Sequence, residues 1–318
     1  MRFRAAVLRS FRSPFQIEEV EISPAEGEVP VKVVATGVCG RDVVVWLGGF
    51  RNLRPPLILG HEVTGLTEDG KLVAVYPALH TSSCKGSEKG APCEDFEILG
   101  ERRPGGYAEF VIVPRENLVE LPGGRAEDYA AATCGVATFI HAAKVAGVRQ
   151  GDRVLVTGAA GGVGIHGVQY LVRVIGAKVY GYSRSKDKAK VLEDLGVTPV
   201  TDLGFYRELG RVDFVFEVVG GPTINDSMLA LRPGGTLVLV GNVTGEEISI
   251  RRPAIIVMRE LKMTGTAAYT RSEFEEAVRL IAEGLIRPFY TLYRLDEINA
   301  AYRDVMEGKI IGRAVIRP

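Results

Sequence analysis

Cys39 lies in the run Gly37-Val38-Cys39-Gly40-Arg41-Asp42, and further along Gly60-His61-Glu62 sets an imidazole beside a carboxylate. A thiolate, an imidazole and a carboxylate can all ligate zinc. A catalytic zinc takes about three protein ligands and keeps one position for water or substrate. The four cysteines, Cys39, Cys84, Cys93 and Cys134, do not fall into the paired CxxC units of a closed structural site. A lone cysteine and a lone histidine serve equally well as buried core residues, so on these two stretches alone both readings stay open.

A second stretch points to different chemistry. Gly158-Ala159-Ala160-Gly161-Gly162-Val163-Gly164 follows the β-rich residues 152–157 and opens an apolar, helix-like run over 163–174. Glycines let the backbone turn tightly and approach a pyrophosphate, while the helix N-terminus offers unpaired N–H groups to the phosphates. Gly158, Gly161, Gly162, Val163 and Gly164 are therefore expected to bind a dinucleotide. The next strand ends at Ser183, where an NAD site commonly carries a carboxylate for the ribose hydroxyls. Here the tip reads Ser183-Arg184-Ser185-Lys186. Ser183, Arg184 and Lys186 suit the 2′-phosphate of NADP(H) through charge-assisted hydrogen bonds. The competing reading makes the two cations a solvated helix start. Gly241-Asn242 follows another apolar strand, at the end where such sheets bind ligands.

The elements that must position these groups change along the chain. Residues 1–125 carry β-branched runs at 31–34, 43–45 and 111–113, broken by Gly and Pro, and read as strands. From 126 to 265 helices alternate with short apolar strands at 154–156, 179–182, 214–218 and 236–240, the pattern of parallel βαβ units. Residues 272–283 read as a helix capped by Ser272 with Glu275 three residues on, and 308–318 return to strand.

At 318 residues the chain suggests two domains, and Lys+Arg 39 against Asp+Glu 39 leaves no net charge to draw nucleic acid or an anionic membrane. The expected partner is a small molecule. No run of eighteen apolar residues occurs, and residues 1–8 are too short and too quickly interrupted for a signal peptide, so a soluble, cytoplasmic protein is expected. Only three glutamines and five asparagines occur, a scarcity of heat-labile amides that points toward a thermophile.

Taken together, Cys39 with Asp42, Gly60-His61-Glu62, Gly105-Gly106-Tyr107-Ala108-Glu109, Ala131-Ala132-Thr133-Cys134 followed by Thr138, the glycine loop, and Gly308-Lys309 with Gly312-Arg313 resemble the zinc-containing alcohol dehydrogenases of the medium-chain dehydrogenase/reductase family. The resemblance spans essentially the whole chain. It implies an α/β chain in which a GroES-like β-rich catalytic domain (1–125 and 266–318) encloses a Rossmann domain with a doubly wound parallel sheet (126–265). It implies one catalytic zinc per chain held by Cys39, His61 and Cys134, with Glu62 as alternate or fourth ligand. Asp42 would orient His61 by accepting its other ring N–H. Thr138, Gly241, Asn242 and Arg313 would join the glycine loop at the cofactor. The run Leu261-Lys262-Met263-Thr264-Gly265-Thr266 resembles the strand that joins subunits edge to edge, implying a homodimer or tetramer.

The departures matter too. The family commonly carries a hydroxyl residue two positions after the first zinc cysteine, and here Arg41 stands there; a guanidinium is a poor proton relay and suits a phosphate, a carbonyl oxygen or a salt bridge. The structural zinc lobe is reduced to Cys84 and Cys93, either free thiols or a disulfide. Trp46, Leu47 and Phe50 are expected either at an apolar pocket near the metal or in core packing. The Arg41-Asp42 pair, the glycine loop and Gly164-Ile165-His166 are also similar to archaeal acryloyl-coenzyme A reductases and to the quinone reductase branch. The sequence thus implies a zinc-dependent, NADP(H)-linked oxidoreductase acting on an alcohol, ketone or aldehyde. An enoyl or quinone reductase is the alternative, and a non-catalytic nucleotide-sensing protein of the same fold is the alternative of another class.

Overall fold

A computed structural model describes residues 1–79, 97–242 and 245–318. Cys84 and Cys93 lie outside the described residues. Among those described, no helix is long and apolar enough to cross a membrane. The chain divides into two compact units, one of residues 1–134, 270–283 and 288–318, the other of 135–269 and 284–287.

The first unit is built on strand Glu28–Val38, which pairs antiparallel with Glu62–Leu66, Phe110–Pro114 and Arg313–Arg317. Its sheet runs in the order Tyr290–Arg294, Arg313–Arg317, Glu28–Val38, Glu62–Leu66, Leu72–Val75, Leu118–Glu120. Alternating residues Val31, Val33, Val63, Val73, Val111 and Val113 fill one core beneath it. A second core gathers Phe15, Tyr107, Tyr302 and Ile298 with Trp46, Leu47 and Phe50 packed against it. Trp46, Leu47 and Phe50 thus pack where an apolar pocket was the other expectation.

The second unit is a six-stranded, wholly parallel sheet. Numbering its strands by sequence from Arg153–Thr157 to Lys262–Gly265, the order is 3-2-1-4-5-6, the doubly wound arrangement whose ligand site falls where the order reverses.

Three local expectations need correction. Residues 43–45 are not strand: Val43, Val44 and Val45 lie in helix Gly40–Trp46, because the Asp42 carboxylate accepts from the Cys39 amide at 3.0 Å and closes the first turn. The late helix is Arg271–Ala282, capped by Thr270 and Glu273 rather than by Ser272 and Glu275. Thr270 Oγ1 accepts from the Glu273 amide at 3.1 Å and Glu273 accepts from the Thr270 amide at 2.8 Å, a reciprocal box two residues upstream of the expected one. The last strand begins only at Arg313, after Gly312 turns the chain.

Candidate functional site

The antiparallel register sets Gly37 opposite Glu62, so Cys39, just past the end of one strand, comes beside His61, just before the start of the other. Cys134 arrives from helix Ala126–Ala146. The ligand atoms of Cys39, His61, Glu62 and Cys134 all lie within 4.8 Å of one another, and all four residues are buried. Gly37 makes the packing possible: a Cβ there would fall 2.1 Å from Glu62 Oε2.

Asp42 sits behind this cluster. Its Oδ1 lies 3.0 Å from His61 Nδ1, so the neutral tautomer that donates from Nδ1 leaves Nε2 for a metal. Oδ2 accepts from the Cys39 amide at 3.0 Å and from the Tyr107 hydroxyl at 3.1 Å. Burial, then the charge of Asp42, holds the Tyr107 phenol well above its ordinary range and keeps it a donor.

Without metal the buried groups share protons. A hydrogen bond from Cys134, opposed by burial and helped by the charges of His61 and Arg313, pulls the Cys39 thiol well below its usual range, while that bond and burial push Cys134 well above it. Burial lowers His61, but the charges of Asp42 and Cys39 outweigh it and hold the imidazole well above its ordinary value. Burial pushes Glu62 up to about 8, against the pull of Arg313. Arg313 Nη2 lies 2.8 Å from Glu62 Oε1, yet neither Glu62 oxygen has an aligned hydrogen-bond donor. That contact offsets little of the desolvation, so the upward direction stands. Two thiols sharing a proton, an imidazole that must give up its Nε2 proton to ligate, and a carboxylate lacking aligned donors form a donor set that fits a zinc ion.

The sequence-predicted metal residues are thus brought together. Arg313, expected at the cofactor, is placed among them, 4% exposed and against Glu62. Arg41 forms an ion pair with Glu101, and its guanidinium lies 4.6 Å over the Phe50 ring.

In the second unit, Gly158 takes φ +62 at the end of strand Arg153–Thr157, and Gly164 opens helix Gly164–Tyr170, which continues as a π turn over Leu171–Ile175. A Cβ on Gly164 would stand 2.3 Å from the Gly158 carbonyl oxygen, so the helix approaches the strand only with glycine there. Gly161, Gly162 and Val163 are half-buried. Gly135, one turn before half-buried Thr138, lies against the same loop: a Cβ there would be 3.1 Å from the Gly162 oxygen. Ser183 is buried at the second strand's tip, with Arg184 and Lys186 exposed beside it. Gly241 and Asn242 follow strand Leu231–Leu239, and Asn242 Nδ2 donates to the Glu246 carbonyl at 2.6 Å.

Sequence reasoning missed Glu217. This buried carboxylate accepts from Thr157 Oγ1 at 2.6 Å, Thr223 Oγ1 at 2.7 Å, the Val219 and Gly220 amides at 3.1 and 2.9 Å, and Ser227 Oγ at 2.6 Å. It ties the carboxyl ends of two central strands together beside the glycine loop. Its signal was faint: an acid closing the apolar run Phe214-Val215-Phe216. Tyr107 was visible inside its motif without a role, and nothing local marks Tyr302.

Residues 25–123 match the alcohol dehydrogenase GroES-like domain and residues 162–283 the zinc-binding dehydrogenase family. An acryloyl-coenzyme A reductase of Sulfurisphaera tokodaii is 30% identical, over 99% of this chain and 100% of its own. An NAD-dependent alcohol dehydrogenase of Saccharolobus solfataricus is 29% identical, over 99% and 100%. A cobalt- and zinc-bound thermostable alcohol dehydrogenase from Pyrobaculum aerophilum superimposes with TM-score 0.88 at 27% identity, each chain covered in full. This chain belongs to the medium-chain dehydrogenase/reductase family. As a member of it, the protein is an oxidoreductase of the alcohol dehydrogenase type, with a GroES-like unit and a Rossmann unit.

The raised Glu62 carboxyl has a measurable consequence in this dehydrogenase when it is kept metal-free. A carboxyl whose folded value exceeds its unfolded one contributes stability in full below about 4.5 and loses it as pH rises toward about 8. Glu62→Gln is expected to flatten that part of the decline in denaturant midpoint across this window. A parent and variant with parallel pH profiles would show that Glu62 ionises freely in the folded protein.

Proposed function

We propose that this chain is a zinc-dependent, NADP(H)-linked oxidoreductase that interconverts an alcohol with a ketone or aldehyde. The buried meeting of Cys39, His61, Glu62 and Cys134 carries this reading. Cys39, His61 and Cys134 would hold one zinc per chain, with Glu62 as the fourth or alternate ligand. When bound, zinc supplies Lewis-acid polarisation of a substrate oxygen and NADPH supplies hydride. The chain's own part is to aim His61 Nε2 through Asp42, to keep the ligand cluster out of water, and to leave Arg313 beside Glu62 as a counter-charge. Gly158, Gly161, Gly162, Val163 and Gly164 would cradle the pyrophosphate. Thr138, Gly241 and Asn242 would contact the rest of the dinucleotide.

A second reading, reduction of an α,β-unsaturated thioester, is favoured by one observation: the position of the usual relay hydroxyl holds Arg41, engaged with Glu101 and Phe50. A guanidinium does not pass an alcohol proton onward. The similarity to an acryloyl-coenzyme A reductase supports the same alternative. Turnover of NADPH with a panel of cyclic and aryl ketones, aldehydes, quinones and acryloyl-coenzyme A separates the readings. Elemental analysis is expected to give about one zinc per chain, and Cys39→Ala or His61→Ala to abolish turnover with cofactor binding retained, since the glycine loop lies in the other unit. Turnover that survives loss of Cys39 would refute the zinc reading.

The NADP(H) assignment is supported by Ser183 at the strand tip and by exposed Arg184 and Lys186 beside it. Arg184→Ala is expected to weaken NADPH roughly tenfold or more and leave NADH nearly unchanged, one charge-assisted contact being lost. Equal binding of NADH and NADPH by the parent would contradict it.

Association through the sheet edge fits the same reading. Lys262–Gly265 is an edge strand, and nearby Val257 and Met258 are 75% and 82% exposed. An open edge with an apolar flank is an aggregation hazard unless covered. A dimer or tetramer is expected in light scattering at micromolar concentration; a monomer would contradict it.

A further inference from the structure

The Asp42 carboxylate is satisfied from two directions. Its near partners, the His61 ring and the Cys39 amide, belong to the ligand cluster itself. Its third partner, the Tyr107 hydroxyl, comes from a different layer. Tyr107 is fully buried, and its backbone amide donates to the Leu59 carbonyl at 3.0 Å, two residues before His61. A phenol has one proton, and Tyr107 gives it to Asp42. Its oxygen is then open to accept, and the Tyr302 hydroxyl donates to it at 3.4 Å. Tyr302 is 2% exposed on helix Ile298–Met306, a helix tied to the N-terminal segment where Asn299 exchanges two hydrogen bonds with the Phe15 backbone at 2.8 and 3.0 Å. A chain of four hydrogen-bonded groups therefore runs from that helix to the metal-facing imidazole: Tyr302, Tyr107, Asp42, His61.

We propose that Tyr107 is a positioning residue for the metal, holding Asp42 so that His61 presents Nε2 to the ion, with Tyr302 fixing the rotation of the Tyr107 hydroxyl from behind. The proposal rests on the zinc reading above and assigns a role to two residues outside the ligand set. Its physical basis is the restriction of Asp42. A carboxylate on a side chain with two rotatable bonds holds an imidazole in one plane only if its other oxygen is also pinned, and the Cys39 amide alone pins it along a single line. Partners of metal-bound histidines typically change metal affinity 10–100-fold when removed. Tyr107 stands one bond further out, so the low end of that range is expected.

The test compares zinc affinity, by competition with a chromogenic chelator, and the ligand-field absorption of the cobalt(II)-loaded protein, in the parent and three variants. Tyr107→Phe is expected to weaken zinc about tenfold and to shift the cobalt bands. Tyr302→Phe is expected to act in the same direction and less. Phe15→Leu reports on packing alone. Its ring meets Tyr107 edge-on at 6.0 Å and Tyr302 at 4.8 Å, so it is expected to lower thermal stability while leaving zinc affinity and the cobalt spectrum unchanged. Unchanged affinity and spectrum in Tyr107→Phe, with the parent holding zinc, overturns the proposal alone. Equal losses in Phe15→Leu and Tyr107→Phe also overturn it, because packing would then explain both. A parent that binds no zinc overturns the zinc reading and this proposal with it.

Discussion

Burying Cys39, His61, Glu62, Cys134 and Arg313 at one strand junction is the constraint on which the first unit depends. Each is an ionisable group removed from water, and an unpaired buried charge costs several kcal/mol. The protein meets this cost locally. One proton is shared between the two thiols, Asp42 takes up the imidazole, and Arg313 faces Glu62. The compensation is incomplete, since Glu62 lacks aligned donors on either oxygen. A divalent cation would complete it by taking up the thiolates and the carboxylate together. The surrounding elements read as consequences of that junction: Gly37 without a side chain opposite Glu62, a helix begun at Cys39 by Asp42, and a sheet whose central strand carries three antiparallel partners.

The second unit solves a different problem. Its ligand would carry phosphates, so the strand ends need donors and close backbone approach rather than ligand atoms. Gly164 permits the approach. Glu217 holds the neighbouring strand end through five neutral donors, four converging on Oε1 and Ser227 on Oε2. At the tip beside Ser183, Arg184 and Lys186 are exposed, where solvent lowers the cost of their charge.

Much of this was legible in the sequence wherever chemistry and geometry coincide within a few residues. The glycine loop declares itself because turn, phosphate approach and helix start occupy seven positions. Cys39 and His61 are legible because each flanks a strand end, whereas Cys134, in the middle of helix Ala126–Ala146, was legible only through the family resemblance. Failures came where a local rule met a competing one. Val43 to Val45 looked like strand from side-chain type, but the capping carboxylate of Asp42 decided for helix. The Ser272 cap lost to Thr270, whose partner Glu273 offers the same spacing two residues earlier. The contact of Arg313 with Glu62 had no signal of its own, because only the antiparallel pairing of its strand with Glu28–Val38 brings the two together. Tyr302 had no signal, since its partner lies 195 residues away in sequence.

On the zinc reading, one metal would sit within this buried cluster on two thiolates and the His61 nitrogen. X-ray absorption at the zinc edge tests it most directly. Two sulfur neighbours at about 2.3 Å and two nitrogen or oxygen neighbours at about 2.0–2.2 Å are expected. A shell of four sulfurs, or one of oxygen alone, would contradict it.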